Sequence, residues 1–211
     1  MHDLSWLLSH GYAMPSALKI VGDRHELNQR QRVAVMRCAC SDEGRASRLS
    51  RELTPDQLTG ATLLIDGYNV LTTIEAALGC AVILIARDTC FRDIASVHGT
   101  YRKVEETVPA IELSGQFLAK LNLTKCIWYL DSPVGNSGRL RQLMQEAAQQ
   151  HCWPWEVELS NNPDHVLSCA TDVVATADSV ILDAGGQWFS LARHVVSQDI
   201  LDAQIVDLQI L

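Results

Sequence analysis

A chain of 211 residues and 23.3 kDa, 47% hydrophobic and 20% charged, with 12 Gly and 6 Pro, fits one folded domain with a short appendage and excludes disordered, collagenous and low-complexity classes. No apolar run reaches the roughly 18–20 residues of a membrane span, and MHDLSWLLSHGY lacks the basic start and long apolar stretch of a signal peptide, so a cytoplasmic location without a membrane partner is expected. The net charge of −8 is unevenly divided: from Lys19 to Arg51 eight basic residues face four acidic ones, net +4, which leaves −12 for the remainder.

Residues 4–40 carry helical spacing. A short apolar helix near 4–8 precedes one around 15–20 that starts at Pro15, and then comes ELNQRQRVAVMRCAC, where Leu27, Val33, Val35 and Met36 can line one face while Arg30, Arg32 and Arg37 lie toward others. Arg30 and Arg37 are seven apart and share a helix face. A polyanion could dock on such a basic arm, and the competing expectation is that its arginines pair with acids of the body. Residues 41–60, SDEGRASRLSRELTPDQLTG, are polar and rich in turn formers and read as a linker, with Thr54 and Pro55 able to cap one further turn. The seven Cys, odd in number and mostly inside apolar segments, predict reduced thiols rather than a disulfide framework. Cys38 and Cys40 form a CxC pair, but no second CxC or CxxC completes a zinc site.

After Gly60 the pattern changes. ATLLID is an unbroken apolar run ending in an acid, and YNVLTTIEAAL then has helical spacing, which predicts a buried strand entering a helix. The same unit recurs as AVILIA before RDTCFRDIASV, KCIWYLD before NSGRLRQLMQEAAQQ, WEVELS before NPDHVLSCA, and DVVATAD before SVILDAGGQWFSLARHVV. Five strand-then-helix units predict an α/β fold with an open, mostly parallel sheet of about five strands flanked by helices, preceded by a small helical segment.

In such sheets the ligand crevice lies at the carboxyl ends of the strands. Asp66 closes LLID, Asp131 closes IWYLD, Asp178 closes VVATAD, and Asp164 stands at the start of the helix in NNPDHVL. Any one of them alone reads as a helix cap. Together they predict one acidic crevice, whose charges would raise one another's pKa and call for a divalent cation; oxygen ligands without His or Cys favour Mg or Mn.

The block LLIDGYNV, with YLDSP, NNPDHV and VVATADSVIL downstream, resembles the PIN-like and NYN superfamily of metal-dependent ribonucleases over residues 60–196. The whole chain, including GDRHELNQRQRVAVMRC, RDTCFRDIASVHGTY and SPVGNSGRL, also resembles an uncharacterised prokaryotic family that joins a basic N-terminal segment to a PIN-like domain. The resemblance implies a helical basic segment and linker at 1–52 and a PIN-like domain at 53–211. It implies Asp66 as the first-strand metal ligand, Asp131 as the acid after the central strand, Asp164 as the helix-start acid and Asp178 as the last acid, these four being the catalytic set. Many relatives read TSD where this chain reads TAD, so one hydroxyl is missing at Ala177. Asp183 and Asp93 are expected to support the ligands from behind.

For substrate, Asn69 could hold a carboxylate or phosphate through its amide, or cap the following helix. The turn of Gly135, Asn136, Ser137 and Gly138, followed by Arg139, suits a phosphate at a helix N-terminus, although the GK[ST] element of a phosphate-binding P-loop is absent. In RDTCFRDIASVHGTYRK, Asp88, Arg92 and Asp93 with Tyr101, Arg102 and Lys103 mix acids, bases and an aromatic beside the crevice, a set that suits either substrate selection, with Arg92 joining Arg30 and Arg37 as phosphate contacts, or internal salt bridging. The seven scattered His form no HExxH, no GxSxG supplies a serine nucleophile, and Asp66 is not followed two residues later by the second Asp of a haloacid-dehalogenase phosphatase. The expected function is Mg- or Mn-dependent hydrolysis of phosphodiesters in a structured RNA. A noncatalytic RNA-binding or assembly module on the same fold is the alternative. Self-association is left open, since Trp128, Trp153, Trp155 and Trp188 suit core or subunit contacts.

Overall fold

The structure, a computed structural model, describes residues 1–94 and 105–209. Four helices come first: α1 (His2–Ser9), α2 (Met14–Arg24), α3 (Gln29–Cys38) and α4 (Asp42–Arg51). Each start has a local cause. Pro15 opens α2, Asn28 and Gln31 form a capping box on α3, and the Ser41 hydroxyl caps α4. Leu4, Ala17, Val21 and Ala39 are buried among these helices, with Leu7, Leu8 and Val35 packed against them, whereas Met36 of the expected apolar face is exposed. The expected linker at 41–60 is therefore corrected: its first half is α4, and Thr54 introduces a single 3-10 turn at Pro55–Leu58.

The body contains β1 (Thr62–Asp66), α5 (Gly67–Leu78), β2 (Val82–Ile85), β3 (Phe91–Asp93), α6 (Thr107–Ala119), β4 (Lys125–Asp131), α7 (Ser137–His151), β5 (Trp155–Ser160), α8 (Pro163–Ser168), β6 (Val173–Ala175), α9 (Ser179–Asp183), β7 (Trp188–Phe189), α10 (Leu191–Asp199) and β8 (Gln204–Asp207). Five strands form an all-parallel sheet in the order β5-β4-β1-β6-β7. Leu63 and Ile65 of β1 face the main core with α5, α6, α7 and α10, while Leu64 faces Leu167 of α8 and Ile181 of α9. Burial on both faces is why β1 reads as a continuous apolar run instead of an alternating one.

Two expected units behave differently. AVILIA does enter a strand, but β2 leaves the main sheet for a second one of order β3-β2-β8, pairing antiparallel with β3 and parallel with β8. Of the segment RDTCFRDIASV, where a helix is expected, the described residues 87–94 form a turn and β3, with Arg92 and Asp93 buried as strand residues, and 95–97 lie outside the described residues. The long last helix divides into α9, β7 and α10, and β7 takes the fifth place in the parallel sheet. Among the described residues no helix is long and apolar enough to cross a membrane.

Candidate active site

The order of the parallel sheet reverses at β1, which lies between β4 and β6 although β4 follows it in the chain and β6 comes much later. Ligand crevices in open α/β sheets form beside such a reversal, at the strands' carboxyl ends. Asp66 is the last residue of β1, and the turn Thr176–Asp178 follows β6 directly. In the β1–β4 register Asp66 lies opposite Tyr129, so Asp131 projects two residues farther along the same edge.

Gly67 fixes how the chain turns from β1 into α5. A Cβ there would stand 2.8 Å from the Tyr129 carbonyl oxygen and 2.6 Å from Leu130 Cδ2, closer than side chains allow. The glycine of DGYN thus lets the helix start against β4 and leaves Asp66 at the edge of the sheet with its side chain buried.

Asp66 accepts a hydrogen bond from Thr176 Oγ1 at 2.8 Å. Burial pushes its pKa up to about 7; the Thr176 bond opposes that rise, the charges of Asp178 and Asp164 add to it, and a bond from the Asn69 backbone N–H opposes it again. Asp131 is raised by burial and then by Asp164, and Asp164 by burial and then by Asp178. The four predicted acids therefore belong to one electrostatic neighbourhood, linked through Asp164 and Asp178. Among the described residues no Lys or Arg forms an ion pair with any of them. Nor, among the described residues, do three acids, His or Cys draw together closely enough to hold a metal ion by themselves. The single-point convergence expected of the four acids is not formed.

Asp178 caps α9, its Oδ1 accepting from the backbone N–H groups of Val180 (2.8 Å) and Ile181 (3.4 Å). Thr176 is the residue that the sequence reading missed. Its hydroxyl donates to Asp66 and accepts from the Asp178 N–H at 2.9 Å, joining two of the acids through one oxygen. The signal was the hydroxyl two places before the acid in VVATAD; its partner becomes evident only once β6 is paired with β1. Asn69 does not cap the helix; its Oδ1 accepts from the Ala177 N–H at 2.8 Å, which fixes the side chain against the turn after β6.

Several expected substrate contacts are corrected by burial. Arg92 is 4% exposed and spends its guanidinium on Asp88 (2.8 and 3.1 Å) and on the Ala177 carbonyl (2.9 and 3.0 Å). Arg37 is largely sheltered and stands 3.7 Å from Asp93, which is itself buried and within 3.5 Å of Thr73 Oγ1. Asp183 supports no ligand acid directly, since both its oxygens accept from Arg48 at 2.7 and 2.8 Å. Ser137 is buried, with its Oγ donating to the Ser132 carbonyl at 3.3 Å, and Asn136, at φ +69°, precedes α7 without capping it through its side chain. Arg30 and Arg139 are exposed. Tyr101, Arg102 and Lys103 lie outside the described residues.

The fold and this edge define an open parallel α/β domain with acidic residues at the carboxyl ends of its strands, beside the reversal point of its sheet. Residues 55–194 match the family described as "Domain of unknown function (DUF5616)", and the chain belongs to it; residues 1–51 match a second, described as "Protein of unknown function (DUF434)". A relative in Methanocaldococcus jannaschii, described as an uncharacterized protein, is 32% identical over 180 residues, covering 85% of this chain and 86% of its own. No solved structure matches the chain.

Proposed function

We propose that the crevice hydrolyses phosphodiesters, with RNA as substrate and Mg or Mn as the bound ion. The observation that carries this reading is the set of four carboxylates from β1, β4, α8 and the β6–α9 turn: burial raises the pKa of Asp66, Asp131 and Asp164, the charges of Asp164 and Asp178 add to that rise, and no Lys or Arg pairs with any of the four among the described residues. Such uncompensated charge fits a divalent cation. Mg ions are commonly held by one or two carboxylates, waters and substrate phosphates, so a three-ligand protein cage is not required. Asp66, Asp131, Asp164 and Asp178 are the residues that would hold the ion, which would supply Lewis acidity toward the phosphodiester and toward water. The chain's own part is positional: Thr176 fixes one oxygen of Asp66, Asn69 fixes the Ala177 peptide, and exposed Arg139, near the start of α7, is available to a flanking phosphate. The resemblance of LLIDGYNV and VVATAD to PIN-like and NYN ribonucleases supports RNA as the substrate class.

The spread of the four acids favours one second reading, a noncatalytic RNA-binding module on the same scaffold. One experiment separates the two. The protein is titrated with Mn, followed by water-proton relaxation, and assayed for cleavage of a structured RNA with Mn and with chelator. Metal binding and cleavage that are both lost in Asp66→Asn are expected. RNA binding that is equal in chelator, without cleavage in Mn, would transfer support to the noncatalytic reading.

A further inference from the structure

We propose that the N-terminal helical segment is a working part of the crevice: Arg48 of α4, acting through Asp88 and Arg92, positions the Thr176–Asp178 turn that carries one of the acids. The proposal rests on the reading of the crevice as the active site.

The connection can be followed atom by atom. Arg48 is 4% exposed although it lies on a strongly polar helix. Its Nη1 donates to Asp88 Oδ2 at 2.5 Å, while Nε and Nη2 donate to Asp183 at 2.8 and 2.7 Å. Asp88 is fully buried and also takes both terminal nitrogens of Arg92. Arg92 then donates through Nε and Nη2 to the carbonyl oxygen of Ala177. The N–H of the same residue is held by Asn69, one turn into the helix that follows Asp66. Ala177 is thus clamped at both of its backbone polar groups, between the Thr176 hydroxyl on Asp66 and the Asp178 carboxylate.

Two arginines and two aspartates balance in charge, with Arg48, Arg92 and Asp88 buried and Asp183 closing the set at the surface. Replacing such a buried network by apolar side chains is often neutral or stabilising, which makes stability alone a weak reason for it. What apolar side chains cannot reproduce is direction. The planar fork of Arg92 binds a carboxylate and a carbonyl together, and a single ammonium cannot match that geometry. The basic charge of residues 19–51, which suits either a polyanion or acids of the body, is partly spent through Arg48 on holding the acid turn.

Arg51 provides an internal control. It lies on the same helix and reaches the same region, donating to the carbonyls of Gly186 (2.6 Å) and Leu182 (2.8 Å), but it touches neither Asp88 nor Arg92. Full-length protein carrying Arg48→Met, Arg48→Lys or Arg51→Met is compared with the wild type by amide NMR of residues 176–180, by Mn affinity and by thermal midpoint. Arg48→Met should displace the 176–180 amides and weaken Mn binding about tenfold, the lower end of what losing a residue that orients metal ligands costs. Arg48→Lys should recover part of both, and Arg51→Met should lower the midpoint while leaving both unchanged. Amides and Mn affinity that stay at wild-type values in Arg48→Met, or that move equally in Arg51→Met, overturn the proposal. If Arg48→Met does not fold, Arg48→Lys decides by the same amides, and unmoved signals there overturn it too. A wild type that binds no Mn refutes the active-site reading, and the amide comparison still decides the positional one.

Discussion

Replacing Asp66 by Asn should make the metal-free protein more stable at pH 8, even though it alters the central residue of the crevice. The folded protein holds the Asp66 proton up to about pH 7, against 3.8 for an unperturbed carboxyl, mainly because burial disfavours the charge. A pKa raised on folding contributes stability that is fully present below about pH 4 and is lost as pH rises through about 7. At 1.36 kcal/mol per pH unit the whole loss is about 4 kcal/mol, and relaxation around the charge would leave about 2–4 kcal/mol. Asn keeps an acceptor for the Thr176 hydroxyl and carries no charge, so it escapes the loss. The assay is urea unfolding of both proteins in chelator at pH 4, 6 and 8. Near pH 4 the two should agree, and the variant's advantage should grow to pH 8. Subtracting the two curves cancels the slopes from Asp131 and Asp164, which are raised in both. Mn at ten times its dissociation constant should return about 1.4 kcal/mol to the wild type alone. A variant that is no more stable at pH 8, or a difference that does not change with pH, refutes the reasoning.

Gly67→Ala should cost about 1–3 kcal/mol in urea unfolding, since the added Cβ meets a backbone oxygen of β4 as well as the buried Leu130 side chain; a neutral result would mean that the β1–β4 edge can open to admit it. For the thiols, Cys80, Cys152 and Cys169 are exposed, whereas Cys38, Cys40, Cys90 and Cys126 are buried. Burial pushes Cys38 up to about 11 and Cys126 up to about 12. A disulfide reagent at pH 8 should therefore find three fast thiols in the folded protein and the other four only in denaturant, and a fourth fast thiol would contradict the packing of α3 against β2 or of the core below β4.

How legible each element was in the sequence depended on what it buries. β1, β4 and β6 bury apolar side chains and end in or just before an acid, so their residues announce both the strand and the crevice. β2 is just as apolar, but its partners β3 and β8 are set by tertiary pairing that no local period encodes, and it departs to another sheet. α4 escaped notice because hydrophobic spacing is the signal for an amphipathic helix, and the one residue α4 fully buries is a guanidinium, that of Arg48. Its end signals were nonetheless in plain view: Ser41 before Asp42 and Glu43 at the start, Arg48 and Arg51 in the last turn.

The arginines of the sequence admit two readings, phosphate contacts or partners of the body's acids, and Arg92 and Arg37 take the second. An arginine in a sequence suggests a surface and a phosphate, yet a buried carboxylate elsewhere in the chain can claim it first, as Asp88 claims Arg48 and Arg92. Arg193 is taken by the largely sheltered Glu52 in the same way, and exposed Asp23 and Asp42 hold Arg32 and Arg87. Electrostatics alone would send these cations to the densest negative charge available, and the crevice has four carboxylates at one edge. The fold instead pairs them with other acids, fully buried Asp88 among them, and leaves the crevice acids without arginine partners among the described residues. Burial raises the pKa of Asp66, and the charges of Asp178 and Asp164 add to the rise. On the proposed function, a phosphate approaching these acids would meet like charge over a screening length of about 8 Å, which calls for a cation to enter before or with the phosphodiester.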